Sequence, residues 1–217
     1  MLLVVLNKTL RRILLVDSNS NPSYIEIYDN ALSSTDCALL RSLFEELPHV
    51  RGTTTAGLQE NLKKCIELSS SRFSDDSDFS KIIAKGLLPC IDKYYAKYKG
   101  LYDIWKWRYD DIYTAKKFES EDDGYKSWHT EHVIGAPHRI FVWSFYLNNA
   151  QSGTDFRHYP TVDAKEGRCV IFPAHWTHVH RSALNKDLKY YVSGWVSYRI
   201  DGEGKFCHYC HKPIDDE

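Results

Sequence analysis

Methionine occurs once in this 217-residue sequence, no apolar run is long enough to cross a bilayer, and neither sign of charge prevails. Each scarcity excludes something. With 28 Lys and Arg against 29 Asp and Glu, the electrostatic footprint of a protein that grips nucleic acid through its phosphates is missing, leaving room only for a local basic groove. The first apolar run, Leu2 to Leu6, breaks at Asn7 and Lys8 and resumes at Ile13 to Val16. That is too short for a membrane span or a signal-peptide core, and it points to a cytoplasmic protein with no membrane partner. Six cysteines stand at 37, 65, 90, 169, 207 and 210. The first four are scattered singly, which reads as reduced, packed thiols rather than a disulfide framework. Aromatic residues are abundant instead, 14% with 15 Tyr and 6 Trp, and favour a sheet-rich core. At roughly 150 residues per domain the length predicts a single domain over 1–217.

Along the chain, Tyr24 to Tyr28 alternates like a short strand. A helix follows: Ser33 or Ser34 can cap it, Asp36 sits in its first turn, Leu40, Leu43, Phe44 and Leu47 recur at helical spacing, and Pro48 ends it. The polar stretch from Thr53 to Ser80 predicts a loop with one short helix around Leu58 to Leu68. A second helix is expected from Phe79 to Tyr98, kinked or split at Gly86 and Pro89. After Gly100 the pattern changes to short β-branched and aromatic runs. Strands are predicted at Ile104 to Tyr109, Tyr113 to Phe118, Tyr125 to His129, Arg139 to Leu147, Arg168 to Phe172, Thr177 to His180 and Lys189 to Ile200. The layout is α+β but mainly β: a helical part over about 20–100, a β part over about 101–200, and a Cys/His tail over 201–217, with the helices packed on one sheet.

The chemistry concentrates in two places. In Trp128-His129-Thr130-Glu131-His132, residues i and i+2 of an extended chain share a face, so His129 and Glu131 can offer a nitrogen and a carboxylate oxygen to one ion. Some fifty residues on comes Phe172-Pro-Ala-His175-Trp-Thr-His178-Val-His180. Two histidines and one carboxylate that leave one side of the metal open suit non-haem Fe(II) oxygenases.

The order of these motifs resembles that of the Fe(II)- and 2-oxoglutarate-dependent dioxygenases, in particular their prolyl-4-hydroxylase-like branch. The likeness is carried by Tyr24-Ile-Glu-Ile-Tyr-Asp-Asn-Ala-Leu-Ser33, Gly124-Tyr125 ahead of His129-Thr-Glu131, Arg139 to Tyr146-Leu-Asn148, Ser152-Gly-Thr-Asp-Phe156 and Gly167 to Trp195. It implies a double-stranded β-helix of jelly-roll type. It also implies coupling of 2-oxoglutarate decarboxylation, to succinate and CO2 with O2, to hydroxylation of a peptide side chain or a small molecule, and it admits ascorbate as a further cofactor. In that family a basic residue follows the distal histidine by about nine or ten positions, often with a Trp six further on. Lys189 lies nine after His180 and eleven after His178, and Trp195 lies six after Lys189. The resemblance therefore makes His129, Glu131 and His180 the metal ligands, with His178 as a neighbour of the same parity, able to face the cavity as a supporting hydrogen-bond partner. The nucleic-acid demethylases of the superfamily carry an arginine where Trp195 stands.

One 2-oxoglutarate carboxylate chelates the metal with the keto oxygen, and the other needs a cation deep in the barrel. Lys189 fits that need, and Tyr191, Ser193 and Trp195 share its parity on an inward face. By resemblance Tyr146 gives its hydroxyl to the same carboxylate. Two departures stand out: Glu131 replaces the family's usual Asp, and Phe118 stands near the position of a tyrosine that helps hold 2-oxoglutarate. The retained carboxylate also speaks against the halogenating relatives.

Cys207-His208-Tyr209-Cys210-His211 matches a haem-attachment signature. With no export signal in view, a second metal at Cys207 and Cys210 with one of the histidines is the better functional reading, set against an acidic terminus with no site. Two rival functions use the same residues: a zinc hydrolase with metal-bound water and a silent ligand-binding jelly roll.

Overall fold

Arg139–Tyr146 (β8) is buried along both faces, apart from its first residue, and a strand buried on both faces must lie inside a sheet. The computed structural model, which describes residues 22–54, 57–69, 77–102, 107–110 and 112–198, places β8 between Cys169–Pro173 (β11) and Lys189–Tyr198 (β13), antiparallel to both. Glu26–Tyr28 (β1) extends the sheet beyond β11. On the other side β13 leads to Thr114–Phe118 (β6), Ile66–Ser69 (β4) and Val50–Arg51 (β2), while Trp107–Tyr109 (β5) pairs with the far end of β13. A smaller antiparallel sheet runs Val162–Asp163 (β10), Gly153–Phe156 (β9), His180–Ser182 (β12). It is prolonged by a bridge between His129 and His180. Lys63–Lys64 (β3) pairs with Gly124–Tyr125 (β7).

Strand periodicity of two sorts side chains to opposite faces of the large sheet. Phe141, Trp143, Phe145, Cys169, Ile171, Val192 and Val196 pack outward, under the helices Ser34–Glu46 (α1) and Asp78–Lys97 (α2). Val142, Tyr146, Val170 and Phe172 point the other way, onto Phe156 and Val162 of the small sheet. The result is a double-stranded β-helix with helices on one sheet, the α+β class read from the sequence.

α1 begins as expected: Ser33 Oγ accepts from Asp36 N at 3.1 Å and Asp36 returns a carboxylate to Ser33 N, a capping box. α2 differs. It runs unbroken through Pro89. Gly86 lies so close to Leu32 that a Cβ would come within 2.5 Å of Leu32 Cδ2, and the buried row Phe79, Ile83, Leu87, Ile91 and Tyr94 holds the helix across the lost hydrogen bond. The helix expected around Leu58 to Leu68 is absent; β3 and β4 occupy its second half. Pairing of β4 with β6, which buries Leu68 completely, outweighs the polar character of Lys63, Lys64 and Glu67. The strand expected from Tyr125 to His129 ends at Tyr125, and that expected from Thr177 to His180 is a 3-10 turn, Trp176–His178, followed by β12.

Cys37, Cys65, Cys90 and Cys169 are free and buried, as anticipated. The Cys207–His211 tail lies outside the described residues, as do Leu2 to Val16. Among the described residues, no helix is long and apolar enough to cross a membrane.

Candidate metal centre

The His129 segment is laid onto the barrel by its backbone. His129 exchanges both backbone hydrogen bonds with His180 at 3.0 Å, and the Glu131 and His132 amides donate to Ala174 O at 3.1 and 3.0 Å. These ties bring together residues fifty apart. Glu131 Oε1 lies 3.7 Å from His129 Nε2 and 3.9 Å from His180 Nε2, and the three donor atoms all lie within 4.8 Å of one another. Ligands about 2.1 Å from one ion and at right angles stand about 3 Å apart, so small side-chain rotations would close this cluster onto a cation.

The tautomers suit that use. Nδ1 of His129 faces Ser127 O at 2.8 Å and Nδ1 of His180 faces His178 O at 2.9 Å. A carbonyl accepts only, so each Nδ1 carries the proton and each Nε2 keeps its lone pair for the cluster. Burial, chiefly, lowers the His180 pKa to about 4, which keeps the ring neutral. Burial alone would raise the Glu131 carboxyl, but its contacts with the two imidazoles and the positive guanidinium of Arg139 outweigh it and hold the carboxyl below the ordinary glutamate value. The donor set of two imidazole nitrogens and one carboxylate oxygen, open on the pocket side, therefore fits a divalent transition metal.

Arg139, at the start of β8, carries no signal of a site role in its local sequence. Its Nη1 donates to Glu131 Oε2 at 3.1 Å, while its guanidinium lies 3.5 Å from the Trp195 ring centroid. One carboxylate oxygen is thus held by Arg139 and the other is left toward the histidines. This is how the extra methylene of Glu131, relative to Asp, is steered. Arg139 and Trp195 sit on adjacent antiparallel strands, a cross-strand relation invisible to local spacing.

The cluster opens into a pocket enclosing about 490 Å³ of space, part of it open to solvent, whose wall includes Lys116, Phe118, Tyr125, Thr154, Lys189 and Tyr191. Lys189 is only 2% exposed. Its Nζ donates to Ser152 Oγ at 2.6 Å and sits 4.6 Å from the Phe118 ring centroid. Burial lowers its pKa to about 8, with Asp187 and Asp155 acting the other way. Tyr191 and Ser193 line the pocket beside it, so the shared parity along β13 holds.

Tyr146 stands one layer back. It is fully buried, and its hydroxyl is 2.7 Å from Thr154 Oγ1 and 3.4 Å from Val162 O, so it reaches the pocket wall through Thr154. His178 is turned away: Nε2 lies 2.6 Å from Ser23 O and the ring stacks on Tyr159 at 4.9 Å. It supports the cluster through its backbone carbonyl, not its side chain, because the 3-10 turn breaks the strand parity that would have aimed its imidazole inward.

No protein-family model matches the chain, and no curated protein matches it either. Solved structures do match in fold. A viral collagen prolyl hydroxylase from Paramecium bursaria Chlorella virus-1, in complex with 2-oxoglutarate, aligns at TM-score 0.60 with 16% identity, covering 85% of this chain and 99% of that one. A prolyl hydroxylase from Trichoplax adhaerens, in complex with a peptide fragment of a hypoxia inducible factor, aligns at 0.65 with 15% identity over 82% of this chain and 84% of that one. The α-ketoglutarate-dependent epimerase of nogalamycin biosynthesis aligns at 0.57 with 14% identity over 90% and 92%. The architecture is that of the group whose motif order the sequence resembles.

Proposed function

We propose that the chain is an Fe(II)- and 2-oxoglutarate-dependent dioxygenase, with His129, Glu131 and His180 as iron ligands and Lys189 as the seat of the distal carboxylate of 2-oxoglutarate. One observation carries the reading: an enclosed ammonium whose hydrogen bond goes to a neutral hydroxyl shares a pocket with an open N,N,O cluster. An unpaired buried charge is costly, and a small diacid that also reaches the metal would relieve it. Neither rival needs that pairing: a zinc hydrolase has no use for a buried cation opposite its metal, and a silent module has no use for an open-faced triad.

The residues divide the work. His129 and His180, fixed as Nδ1–H tautomers by Ser127 and His178 carbonyls, present lone pairs. Glu131 supplies charge from one oxygen, with Arg139 holding the other. Lys189, backed by Ser152, anchors the diacid, with Tyr146 and Thr154 behind it completing the polar wall. Bound Fe(II) would supply the activation of O2 that couples decarboxylation of 2-oxoglutarate to oxidation of a substrate. Hydroxylation of a peptide side chain, of the prolyl-4-hydroxylase kind, is the specific form proposed, supported by the motif order and by the fold shared with two prolyl hydroxylases.

The test is formation of succinate from 2-oxoglutarate with Fe(II) and O2. The reading expects it in the native protein and its loss in His180→Ala and Lys189→Ala. A native protein that binds metal but leaves 2-oxoglutarate intact would refute it in favour of the hydrolase or the silent module.

A further inference from the structure

The pocket is lined by a second, half-buried ammonium, Lys116, that neither the metal cluster nor the Lys189 seat employs. Lys116 lies on β6, whose register pairs Phe118 with Lys189, Lys116 with Tyr191 and Thr114 with Ser193. Lys116 and Lys189 are therefore diagonal neighbours on adjacent strands, about 7–8 Å apart, and both line the pocket. Lys116 Nζ donates to Ser193 Oγ at 2.7 Å and lies 5.5 Å from the Tyr191 ring centroid.

Its charged surroundings are otherwise committed. Lys63 is paired with Glu67 at 2.5 Å, and Glu131 is held by Arg139 at 3.1 Å. Arg181, also on the pocket wall, is engaged by Asp155 at 3.2 Å. Among the described residues no carboxylate lies within ion-pair distance of Lys116. Burial and the neighbouring charge of Lys63 hold its pKa below the ordinary lysine range, while Glu67, Cys65 and Glu131 act the other way. A diacid spanning Lys189 and the metal uses both its charges there, and Lys116 is left with a neutral hydroxyl.

We propose that Lys116 receives an anionic group of the substrate, a carboxylate or a phosphate monoester, and so restricts this enzyme to acidic substrates. The inference rests on the oxygenase reading above, because it takes Lys189 to be occupied by 2-oxoglutarate. An ammonium is a compact point charge that fixes where an anion sits without requiring a planar partner. It also discriminates by penalty: a neutral analogue would cover this half-buried charge without pairing it.

The test uses full-length protein loaded with Mn(II) and saturating 2-oxoglutarate, titrated calorimetrically with N-acetylaspartate, N-acetylasparagine, glycerol 3-phosphate and glycerol. The native protein is expected to bind at least one anion about tenfold more tightly than its neutral counterpart, and the responding pair distinguishes carboxylate from phosphate. Lys116→Gln is expected to bring that ratio to within about twofold and Lys116→Arg to keep it, with 2-oxoglutarate affinity unchanged in both. Circular dichroism checks each variant, and Lys116→Met, neutral and with an unbranched stem, replaces Lys116→Gln if that variant fails to fold. The proposal is overturned by a native protein that does not prefer either anion, by a preference that survives in Lys116→Gln, or by a folded Lys116→Gln that loses 2-oxoglutarate binding, which would make Lys116 part of the cosubstrate seat. Absence of 2-oxoglutarate uptake by the native protein is a separate result, and it refutes the oxygenase reading itself.

Discussion

The two faces of the large sheet are built from the same strands and do opposite things. Outward from β8, β11 and β13, Phe141, Trp143, Phe145, Ile171, Val192 and Val196 meet helical side chains in an apolar layer. Inward, β13 and β6 place Lys189, Tyr191, Ser193 and Lys116 around a pocket. The outer face gains free energy from burial, about 1.5–3 kcal/mol for each large side chain. The inner face encloses ammonium groups that would be more comfortable in water, and replacing such a group with an apolar one is often neutral or stabilising. The sheet gives up apolar burial only around the pocket; its outer layer, together with the inner contacts of Val142, Val170 and Phe172 with Phe156 and Val162, holds the fold.

Substitutions can break or sharpen that contrast. The largest effect is expected from His180→Ala, which should cut succinate formation by roughly two orders of magnitude or more while leaving thermal unfolding of the metal-free protein little changed. An equal loss of both would mean that the inner face is structural after all. On the outer face, Phe145→Ala should cost about 3–5 kcal/mol, measured by urea unfolding, because the ring is fully buried under the helices.

Lys189→Met should separate the two properties. 2-Oxoglutarate affinity is expected to fall by about tenfold or more, and stability to stay level or rise. Its pH dependence has a definite sign. Burial places the folded pKa near 8, below the ordinary 10.5. Between these values the unfolded chain holds the extra proton, so stability should rise with pH across that window, and Lys189→Met should abolish the rise. Cosubstrate binding should run the other way and weaken as pH passes about 8, since a neutral amine does not pair with a carboxylate; affinity measured across that range checks it. The smallest effect is expected from Ser33→Ala, which removes the cap of α1 and should cost about 1 kcal/mol in unfolding free energy, with no change in 2-oxoglutarate affinity.

Much of the β part was readable because its periodicity is local. β6, β8, β11 and β13 lie within a residue or two of their expected bounds, and the inward parity of Lys189, Tyr191 and Ser193 follows from alternation alone. β4 was missed because Ile66, Glu67, Leu68 and Ser69 carry little strand character until β6 lies beside them. Alternation gives His178 the inward parity of His180, and nothing in the sequence announces the 3-10 turn that breaks that alternation before β12. Arg139 and Lys116 carry no local signal for a different reason: each acquires its surroundings from residues on another strand or loop, Glu131 and Trp195 for the first, Ser193 and Tyr191 for the second.

Alternation, capping and residue type, all properties of short stretches of chain, were enough to establish the α+β class, the first helix and His129 and Glu131 as a pair on one face, while His180 and Lys189 came from the resemblance in motif order. Which of these groups meet was decided only by pairing between distant strands. The bridge from His129 to His180 and the register of β13 between β6 and β8 are long-range hydrogen-bond choices, made by the requirement that every buried backbone group find a partner.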